Sequence, residues 1–196
     1  MLSEINTKIQ RDFFPVPLQD RAIQIFLNTK ILSAKIFGGN SISSKNKLSN
    51  HLWELAEYFA ENNQFAKAAK FALKSSKLLS LDTDISEDLY IERMLFASKN
   101  LLLASKKALE LTKLGKNLDC LFKLRYITEE LKPFMQNKLD SDKNYIDFLN
   151  LKRDLFLAFS NRKEYYQVIY EKTEDPFVLG KLYNLKRVLN ELEQEL

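Results

Sequence analysis

Hydrophobic residues recur along the chain at intervals of three and four, the spacing of one face of an α-helix, and no segment sustains a two-residue alternation. The clearest example is a helix that ends at about Glu61, a polar break Glu61-Asn62-Asn63-Gln64 and a second helix from Phe65. The small residues Ala56 and Ala68 fall where these two helices must touch. Because only four Gly and four Pro interrupt 196 residues, the pattern predicts an all-α chain of roughly eight to ten helices.

Changes in composition divide the chain into a tail and one domain. Residues 1–17 form a tail that contains Phe13-Phe14-Pro15-Val16-Pro17, where two prolines favour an extended backbone. This segment is either a linker whose phenylalanines pack on the body or a docking hook for another protein. Residues 18–196 are expected to form a single helical-repeat domain, in which the polar stretches 40–47 and 136–143 are loops.

The first helix of the domain is expected over 18–37, and two later segments are expected to be divided. In the long apolar segment 86–114, a break near Ser98-Lys99-Asn100 would give two helices of ordinary length. Near the C-terminus, 144–160 and 164–172 are predicted to form a helical hairpin.

Capping and helix-breaking residues predict where helices begin and end. Ser49 or Asn50 can cap the helix that leads into the polar turn. Gly115 and Pro133 are expected to end the helices that precede them. Asp175-Pro176 is expected to open the last helix, because proline in the first turn lacks only an N–H that would be unpaired anyway.

The last helix, within 174–196, carries an unbroken heptad seam. Its apolar positions are Val178, Leu182, Leu185, Leu189, Leu192 and Leu196. The seam is interpreted as a capping helix that closes the domain. The alternative is a coiled-coil seam for a second copy of the chain, which would give a homodimer through residues 178–196.

The hairpin at about 49–82 has a repeated pattern of aromatic, leucine and small residues. The residues that carry it are Leu52, Leu55, Ala56, Phe59, Phe65 and Ala68. This pattern resembles the tetratricopeptide repeat, with Ser80 where that family has a closing proline. A partial second copy at about 149–172 contains Phe159, Tyr165 and Val168. The resemblance implies stacked antiparallel helical hairpins, as a solenoid of that type or an irregular helical bundle.

In that family the first helix of each hairpin lines an inner groove. The resemblance therefore implies partner-binding roles for Trp53, Glu57, Arg93, Phe96 and Arg153. Trp53 is the only Trp and would be a natural hot spot if exposed; the alternative is that it simply packs in the core. Glu57 would repel a terminal carboxylate, so docking of a chaperone's C-terminal tail is not expected. The expected function is a non-enzymatic assembly subunit that binds a partner helix or peptide within a larger complex.

Lysines provide a second candidate surface. Net charge is +4, from 30 basic and 26 acidic residues, which is mild for a dedicated nucleic-acid binder. We define the lysine ridge as Lys67, Lys70, Lys74, Lys77, Lys106 and Lys107. It is either the solvated outer face of two helices or a site for phosphates or an acidic partner. It supports the alternative function, binding of RNA or DNA.

The chain offers few residues for catalysis or metal binding. One cysteine, Cys120, and one histidine, His51, exclude an intrachain disulfide, a cysteine zinc cluster and a multi-histidine metal site. We therefore expect no enzymatic activity, cofactor or metal. No stretch approaches the ~18 apolar residues of a membrane span. The N-terminus lacks a secretory pattern, so a cytoplasmic protein is expected, with the nucleus as an alternative.

Overall fold

A computed structural model describes residues 25–33, 42–79, 84–110, 114–136, 138–139 and 141–194. This part of the chain contains seven helical segments and no strand. We label them α1 (residues 25–33), α2 (Ile42–Glu61), α3 (Phe65–Ser76), α4 (Asp84–Glu110), α5 (Leu114–Met135), α6 (Lys143–Thr173) and α7 (Pro176–Glu193). The all-α prediction is confirmed. The tail over 1–17 lies outside the described residues.

Helices α2 to α7 form three antiparallel hairpins, α2–α3, α4–α5 and α6–α7. In the second hairpin, Asn117 near the start of α5 donates to the Ser105 carbonyl near the end of α4, at 2.8 Å. At the opposite end, Tyr90 of α4 packs on Phe134 of α5, with ring centroids 5.2 Å apart. Residues early in one helix thus meet residues late in the other, as an antiparallel pair requires.

The first helices of the three hairpins run parallel to one another. Arg93 of α4 meets Asn50 of α2, and fourteen residues further along α4, Lys107 reaches the Asn63 carbonyl just beyond α2. Lys99 of α4 pairs with Asp147 of α6, and further along both helices Leu109 and Leu157 line one cleft. The hairpins are therefore stacked side by side in the same orientation, and each covers apolar surface that its neighbour could not bury alone.

Small residues allow the first hairpin to pack closely on α4. Ala56, Ala68 and Ala72 are completely buried where α2, α3 and α4 meet, which confirms the predicted contact between α2 and α3. Helix α1 covers the outer side of this hairpin through Leu27 and Ile31. The main core continues through α4, α5 and α6 to α7.

The predicted break near Ser98-Lys99-Asn100 is wrong, because α4 is one continuous helix of 27 residues. The Ser98 hydroxyl donates to the Met94 carbonyl at 2.9 Å, and the Asn100 amide donates to the Phe96 carbonyl at 3.0 Å. These buried polar side chains thus bond to the helix's own backbone four residues earlier and do not interrupt it.

The predicted hairpin over 144–172 is also wrong, because α6 is a single helix of 31 residues. Phe159, Arg162 and Tyr166 are buried at helical spacing across the expected turn, so one continuous stripe packs on the core. The third hairpin is instead formed by α6 and α7. The partial repeat at about 149–172 consequently lies within one helix.

Several predicted helix ends also differ. Residues 42–47 are helical, so the predicted loop over 40–47 is wrong there, and Ser49 is a buried residue within α2 that bonds to Ser75. Gly115 lies in the first turn of α5, while Pro133 lies within its last turn. Proline removes only one backbone donor there, and the following residues Phe134 and Met135 still pack on the core.

The start of α7 was predicted correctly, and α6 begins one residue before the predicted start at 144. The Asp142 carboxylate accepts the Asn144 backbone N–H at 2.7 Å and caps α6, after non-helical residues in the predicted loop. The Asp175 carboxylate accepts the Phe177 N–H at 2.8 Å and caps α7, with Pro176 in its first turn.

The heptad seam of α7 faces the interior of the domain. Its described members are all buried: Val178, Leu182, Leu185, Leu189 and Leu192. They belong to the same core cluster as residues of α4, α5 and α6. The seam therefore closes the domain in the way that the capping interpretation predicted.

Candidate functional site

A cleft of about 570 Å³ opens on the face formed by the parallel helices α2, α4 and α6. We call it the aromatic cleft. Its apolar lining consists of Trp53, Leu89, Leu95 and Phe96. Its polar lining consists of Glu57, Asp88, Glu92, Lys99, Lys143, Asn144 and Asp147. Because α2, α4 and α6 each belong to a different hairpin, the cleft exists only when the hairpins are stacked.

Two aromatic rings form one wall of the aromatic cleft. The centroids of Trp53 and Phe96 are 4.7 Å apart, with the ring planes inclined at 60°. The Trp53 side chain also hydrogen-bonds to Glu57, and its indole N–H is the donor. The Arg93 guanidinium lies over the Trp53 ring, 5.4 Å from its centroid. These contacts hold Trp53 in one orientation while leaving part of it exposed in the cleft.

Arg93 itself lies behind this wall, with only 3% of its surface exposed. Its guanidinium donates to the Ser75 hydroxyl at 2.7 Å, to the Asn50 side-chain oxygen at 2.9 Å and to the Ser49 hydroxyl. Among the described residues it forms no ion pair. Burial lowers the pKa of Arg93, while the negative charges of Glu92 and Glu57 act in the opposite direction. Arg93 therefore joins α2, α3 and α4 and is not available to a partner.

Carboxylates at the aromatic cleft fall into paired and unpaired groups. Asp88 pairs with Lys138 at 2.8 Å, and Asp147 pairs with Lys99 at 2.8 Å. Glu57 and Glu92 have no ion pair among the described residues. Burial of part of the Glu57 side chain raises its pKa, the hydrogen bond from Trp53 lowers it, and the nearby Glu61 and Glu92 raise it.

The structure brings together three of the five residues predicted to bind a partner. Trp53, Glu57 and Phe96 line the aromatic cleft, whereas Arg93 is buried behind it and Arg153 is exposed elsewhere on α6. The positions transferred to α6 missed the cleft because the family pattern was aligned to a turn that does not exist. The Asp142 cap fixes where α6 begins, and its first turns supply Lys143, Asn144 and Asp147 instead.

A second, smaller cleft of about 230 Å³ lies among α4, α5 and α6, and was not predicted. Leu102, Leu109 and Leu157 supply apolar lining, while the buried side chains of Asn117 and Arg162 contribute polar atoms. Burial lowers the pKa of Arg162, opposed by the neighbouring hydroxyls of Tyr166 and Tyr165. Its residues are far apart in sequence and share no motif, so no local signal could have identified them.

Most of the lysine ridge lies on one side of the first hairpin. Lys67, Lys70, Lys74 and Lys77 are exposed along α3 and its C-terminal cap. Lys107 reaches the turn between α2 and α3, where its ammonium is 3.3 Å from the Asn63 carbonyl. Among the described residues, none of these lysines forms an ion pair. Lys106, in contrast, lines the smaller cleft.

Residues with catalytic or metal-binding chemistry are dispersed in the described part of the chain. Cys120 is half-buried, and burial raises the pKa of its thiol, which disfavours the reactive thiolate. His51 lies within α2, with Nδ1 3.6 Å from a Glu54 oxygen. Within the described ranges, no group of three or more His, Cys, Asp or Glu side chains is arranged to hold a metal ion. None of the helices there is long and apolar enough to cross a membrane.

Comparison of the chain with protein-family models, with curated proteins and with solved structures finds no match. The functional interpretation therefore depends on the geometry of the aromatic cleft and the lysine ridge.

Proposed function

We propose that this chain is a non-enzymatic interaction or assembly subunit, acting in the cytoplasm, whose aromatic cleft binds a helix or extended segment of another protein. The observation that carries the proposal is the pair of rings, Trp53 and Phe96, held in the wall of an open cleft. Large, rigid aromatic side chains that remain partly accessible are the residues on which binding energy concentrates.

The size and position of the aromatic cleft suit a peptide segment. A volume of about 570 Å³ has room for a few side chains of a bound segment. Apolar surface from Leu89 and Leu95 adjoins the two rings, and polar groups surround it, as in an interface with an apolar centre and a polar rim. Stacked hairpins that present a shared face to a partner are also what the tetratricopeptide resemblance implies.

Site-specific photo-crosslinking tests this proposal. A photoreactive phenylalanine analogue would replace Leu89, which lines the aromatic cleft, or Tyr183, an exposed residue of α7 outside it. In native cells we expect one or a few discrete protein adducts from Leu89 and none of the same adducts from Tyr183. Adding Trp53→Ala should remove the adducts from Leu89, provided that circular dichroism shows the variant to be folded.

Two results would contradict the proposal. The same adducts from Leu89 and Tyr183 would indicate nonspecific collision with abundant proteins. Adducts from Leu89 that persist at full yield in both Trp53→Ala and Phe96→Ala would show that the aromatic wall does not bind the partner.

A second candidate function is binding of a polyanion, RNA or DNA, by the lysine ridge. The observation that favours it is the absence of ion pairs for Lys67, Lys70, Lys74 and Lys77 among the described residues, although all four are exposed on one side. Four phosphate contacts would make the logarithm of the affinity fall with the logarithm of salt, with a slope of about −3 to −4.

The test of this second function is a titration with single-stranded and duplex RNA and DNA at several salt concentrations. Changing Lys67, Lys70, Lys74 and Lys77 to Gln should abolish binding. The matched control changes four lysines outside the ridge to Gln: the exposed Lys123, Lys172 and Lys186, and the half-buried Lys163. Lack of binding at low salt, or equal loss in the control, would end this hypothesis.

A further inference from the structure

This inference rests on the proposed function and specifies its partner. We infer that the aromatic cleft recognises a cationic side chain, Lys or Arg, of the bound segment, seated against Trp53 and Phe96 with Glu57 and Glu92 as its counter-charges. The occupant to which the inference commits is a segment of another protein that carries this basic residue beside an apolar one.

The aromatic wall is suited to a cation. Ammonium and guanidinium groups are attracted to the faces of aromatic rings, most strongly to Trp, and two inclined rings offer more such surface than one. The aromatic wall already contains one such contact, since the Arg93 guanidinium lies 5.4 Å from the centre of the Trp53 ring. A partner's cation would meet the parts of Trp53 and Phe96 that line the cleft.

The unpaired charges of the aromatic cleft also favour a cation beside these rings. Of the six charged side chains that line it, Asp88, Asp147 and Lys99 are already in ion pairs. Among the described residues that line the cleft, the remaining carboxylates are Glu57 and Glu92, and the one cation outside an ion pair is Lys143. Charge complementarity thus selects the sign of the partner's residue.

The positions of these two carboxylates place the negative charge next to the aromatic wall. Glu57 follows Trp53 by four residues, and Glu92 precedes Phe96 by four, so each carboxylate lies one helical turn from a ring. Lys143 belongs to α6, the helix that does not contribute to the wall. A partner's cation is therefore expected at the α2 and α4 side of the cleft.

The buried charge of Arg93 opposes a second cation but does not cancel this preference. It is one positive charge behind the wall, against the two carboxylates Glu57 and Glu92 in front of it. Its guanidinium is enclosed by Ser49, Ser75 and Asn50 and cannot compete for contacts with a ligand. On the α2 and α4 side of the cleft, leaving out Lys143 of α6, Glu57, Glu92 and Arg93 together carry one net negative charge.

The experiment uses the full chain and synthetic peptides with the sequence Ser-Leu-X-Leu-Ser repeated once, where X is Arg, Lys, Gln or Glu. Because Trp53 is the only tryptophan, its fluorescence reports binding at the aromatic cleft directly. We expect the Arg and Lys peptides to bind about tenfold more tightly than the Gln peptide, and the Glu peptide to bind most weakly. The preference should weaken as salt rises from about 0.05 M to about 0.3 M, because Glu57 and Glu92 are exposed.

A matched pair of variants separates the local carboxylates from overall charge. The double variant Glu57→Gln, Glu92→Gln should lose the preference for Arg and Lys and retain binding of the Gln peptide. The control variant Glu164→Gln, Glu193→Gln removes two exposed carboxylates outside the aromatic cleft and should keep the full preference. The same two variants are then tested for photo-crosslinking from Leu89.

The outcomes distinguish failure of the inference from failure of the proposed function. Equal binding of Arg and Gln peptides, or adducts from Leu89 that are as abundant in the Glu57→Gln, Glu92→Gln variant as in wild type, would overturn the cation inference and leave the cleft as a binding site. Absence of both peptide binding and specific adducts would overturn both. The chain could instead associate with itself in a concentration-dependent way. Loss of that association in Glu57→Gln, Glu92→Gln, and also on changing Lys67, Lys70, Lys74 and Lys77 to Gln, would identify a second copy as the occupant and overturn the inference.

Discussion

The two junctions between hairpins are built differently. At the first junction, between α2–α3 and α4, the buried Arg93 guanidinium bonds to Ser49, Ser75 and Asn50 behind the aromatic wall. At the second junction, between α4–α5 and α6, the described polar contact from α4 to α6 is the surface ion pair of Lys99 and Asp147. Both the aromatic cleft and the smaller cleft reach this second junction. Open surface thus lies at the junction where the contact between α4 and α6, Lys99 with Asp147, is itself at the surface.

The first junction therefore aligns the hairpins, whereas the second leaves surface accessible to a partner. A buried arginine tolerates few positions, because each of its donors needs an acceptor when water is absent. Arg93 therefore sets how α4 lies against the first hairpin, which in turn places Phe96 beside Trp53. At the second junction, apolar packing below the clefts holds α6 while its first turns remain accessible to a partner.

The largest effect is expected from the apolar packing of the second junction. Phe159 of α6 is completely buried and packs edge-on against Phe122 of α5, with centroids 5.6 Å apart. Phe159→Ala should lower the free energy of unfolding by about 4 kcal/mol, because the substitution leaves a cavity. Urea denaturation measures this change. Amides of α6 and α7 should exchange with solvent faster than those of α2 and α3.

Phe177→Ala is the matched control, since Phe177 is 69% exposed and its loss should change the free energy of unfolding by no more than about 0.5 kcal/mol. A loss of protection spread evenly over all hairpins in Phe159→Ala would show that the two junctions do not differ in the way described above.

The next largest effect is expected at the buried network of the first junction. Arg93→Ala should destabilise the fold by about 3 kcal/mol, because charged hydrogen bonds and packing against Trp53 are lost together. The loss is limited because the Ser49 and Ser75 hydroxyls also bond to each other's backbone carbonyls, both at 2.7 Å. Chemical denaturation gives the stability, and the fluorescence of Trp53 should shift because its ring loses the guanidinium.

Arg153→Ala provides the comparison for this substitution. Arg153 was predicted to share the groove with Arg93, but it is exposed outside the aromatic cleft, so its loss should cost no more than about 0.5 kcal/mol. Equal effects of the two substitutions would mean that burial of Arg93 does not organise the first junction.

The contrast between Arg93 and Arg153 also shows how far the sequence alone could predict this molecule. Helical periodicity predicted the all-α class, the hairpin formed by α2 and α3, and the caps Asp175 and Pro176, because these are local properties. It failed at Ser98 and Asn100, where polar residues were expected to break a helix but bond to its backbone instead. Whether a polar side chain finds such a partner depends on the turn before it and on burial.

The sequence predicted only some of the residues that line the aromatic cleft. Trp53, Glu57 and Phe96 were placed together correctly because the hairpin register was correct in α2 and the relevant part of α4. The groove position predicted on α6, Arg153, depended on a turn within 144–172. Because that turn does not exist, the family's pattern selected a residue outside the aromatic cleft. The burial of Arg93 could not be foreseen, because its partners Ser49 and Ser75 come from two other helices.

A smaller effect is expected from the surface ion pair of the second junction. Lys99 and Asp147 are 2.8 Å apart, with 54% and 28% of their side chains exposed. A double-mutant cycle with Lys99→Ala and Asp147→Ala should give a coupling energy of about 0.5 kcal/mol that decreases at high salt. A coupling above about 2 kcal/mol would show that the two junctions are held by polar contacts of similar strength.

The smallest effect concerns the pH dependence of Glu57, at the edge where the two junctions share the aromatic cleft. Burial of part of its side chain, together with Glu61 and Glu92, raises the pKa of Glu57 above its ordinary value of 4.5 despite the hydrogen bond from Trp53. The folded chain thus binds this proton more tightly than the unfolded chain, so the group stabilises the fold at low pH. That contribution is lost as pH rises from the unfolded pKa through the raised folded pKa.

Glu57→Gln should therefore gain stability relative to wild type between pH of about 4 and about 7, by less than about 0.5 kcal/mol because the residue is solvent-exposed. Urea denaturation of both proteins at the two pH values measures the difference, and Glu193→Gln controls for the loss of an exposed negative charge. A relative loss of stability over this range would mean that the Trp53 hydrogen bond outweighs burial, and that Glu57 is held by the first junction instead of being free to meet a partner.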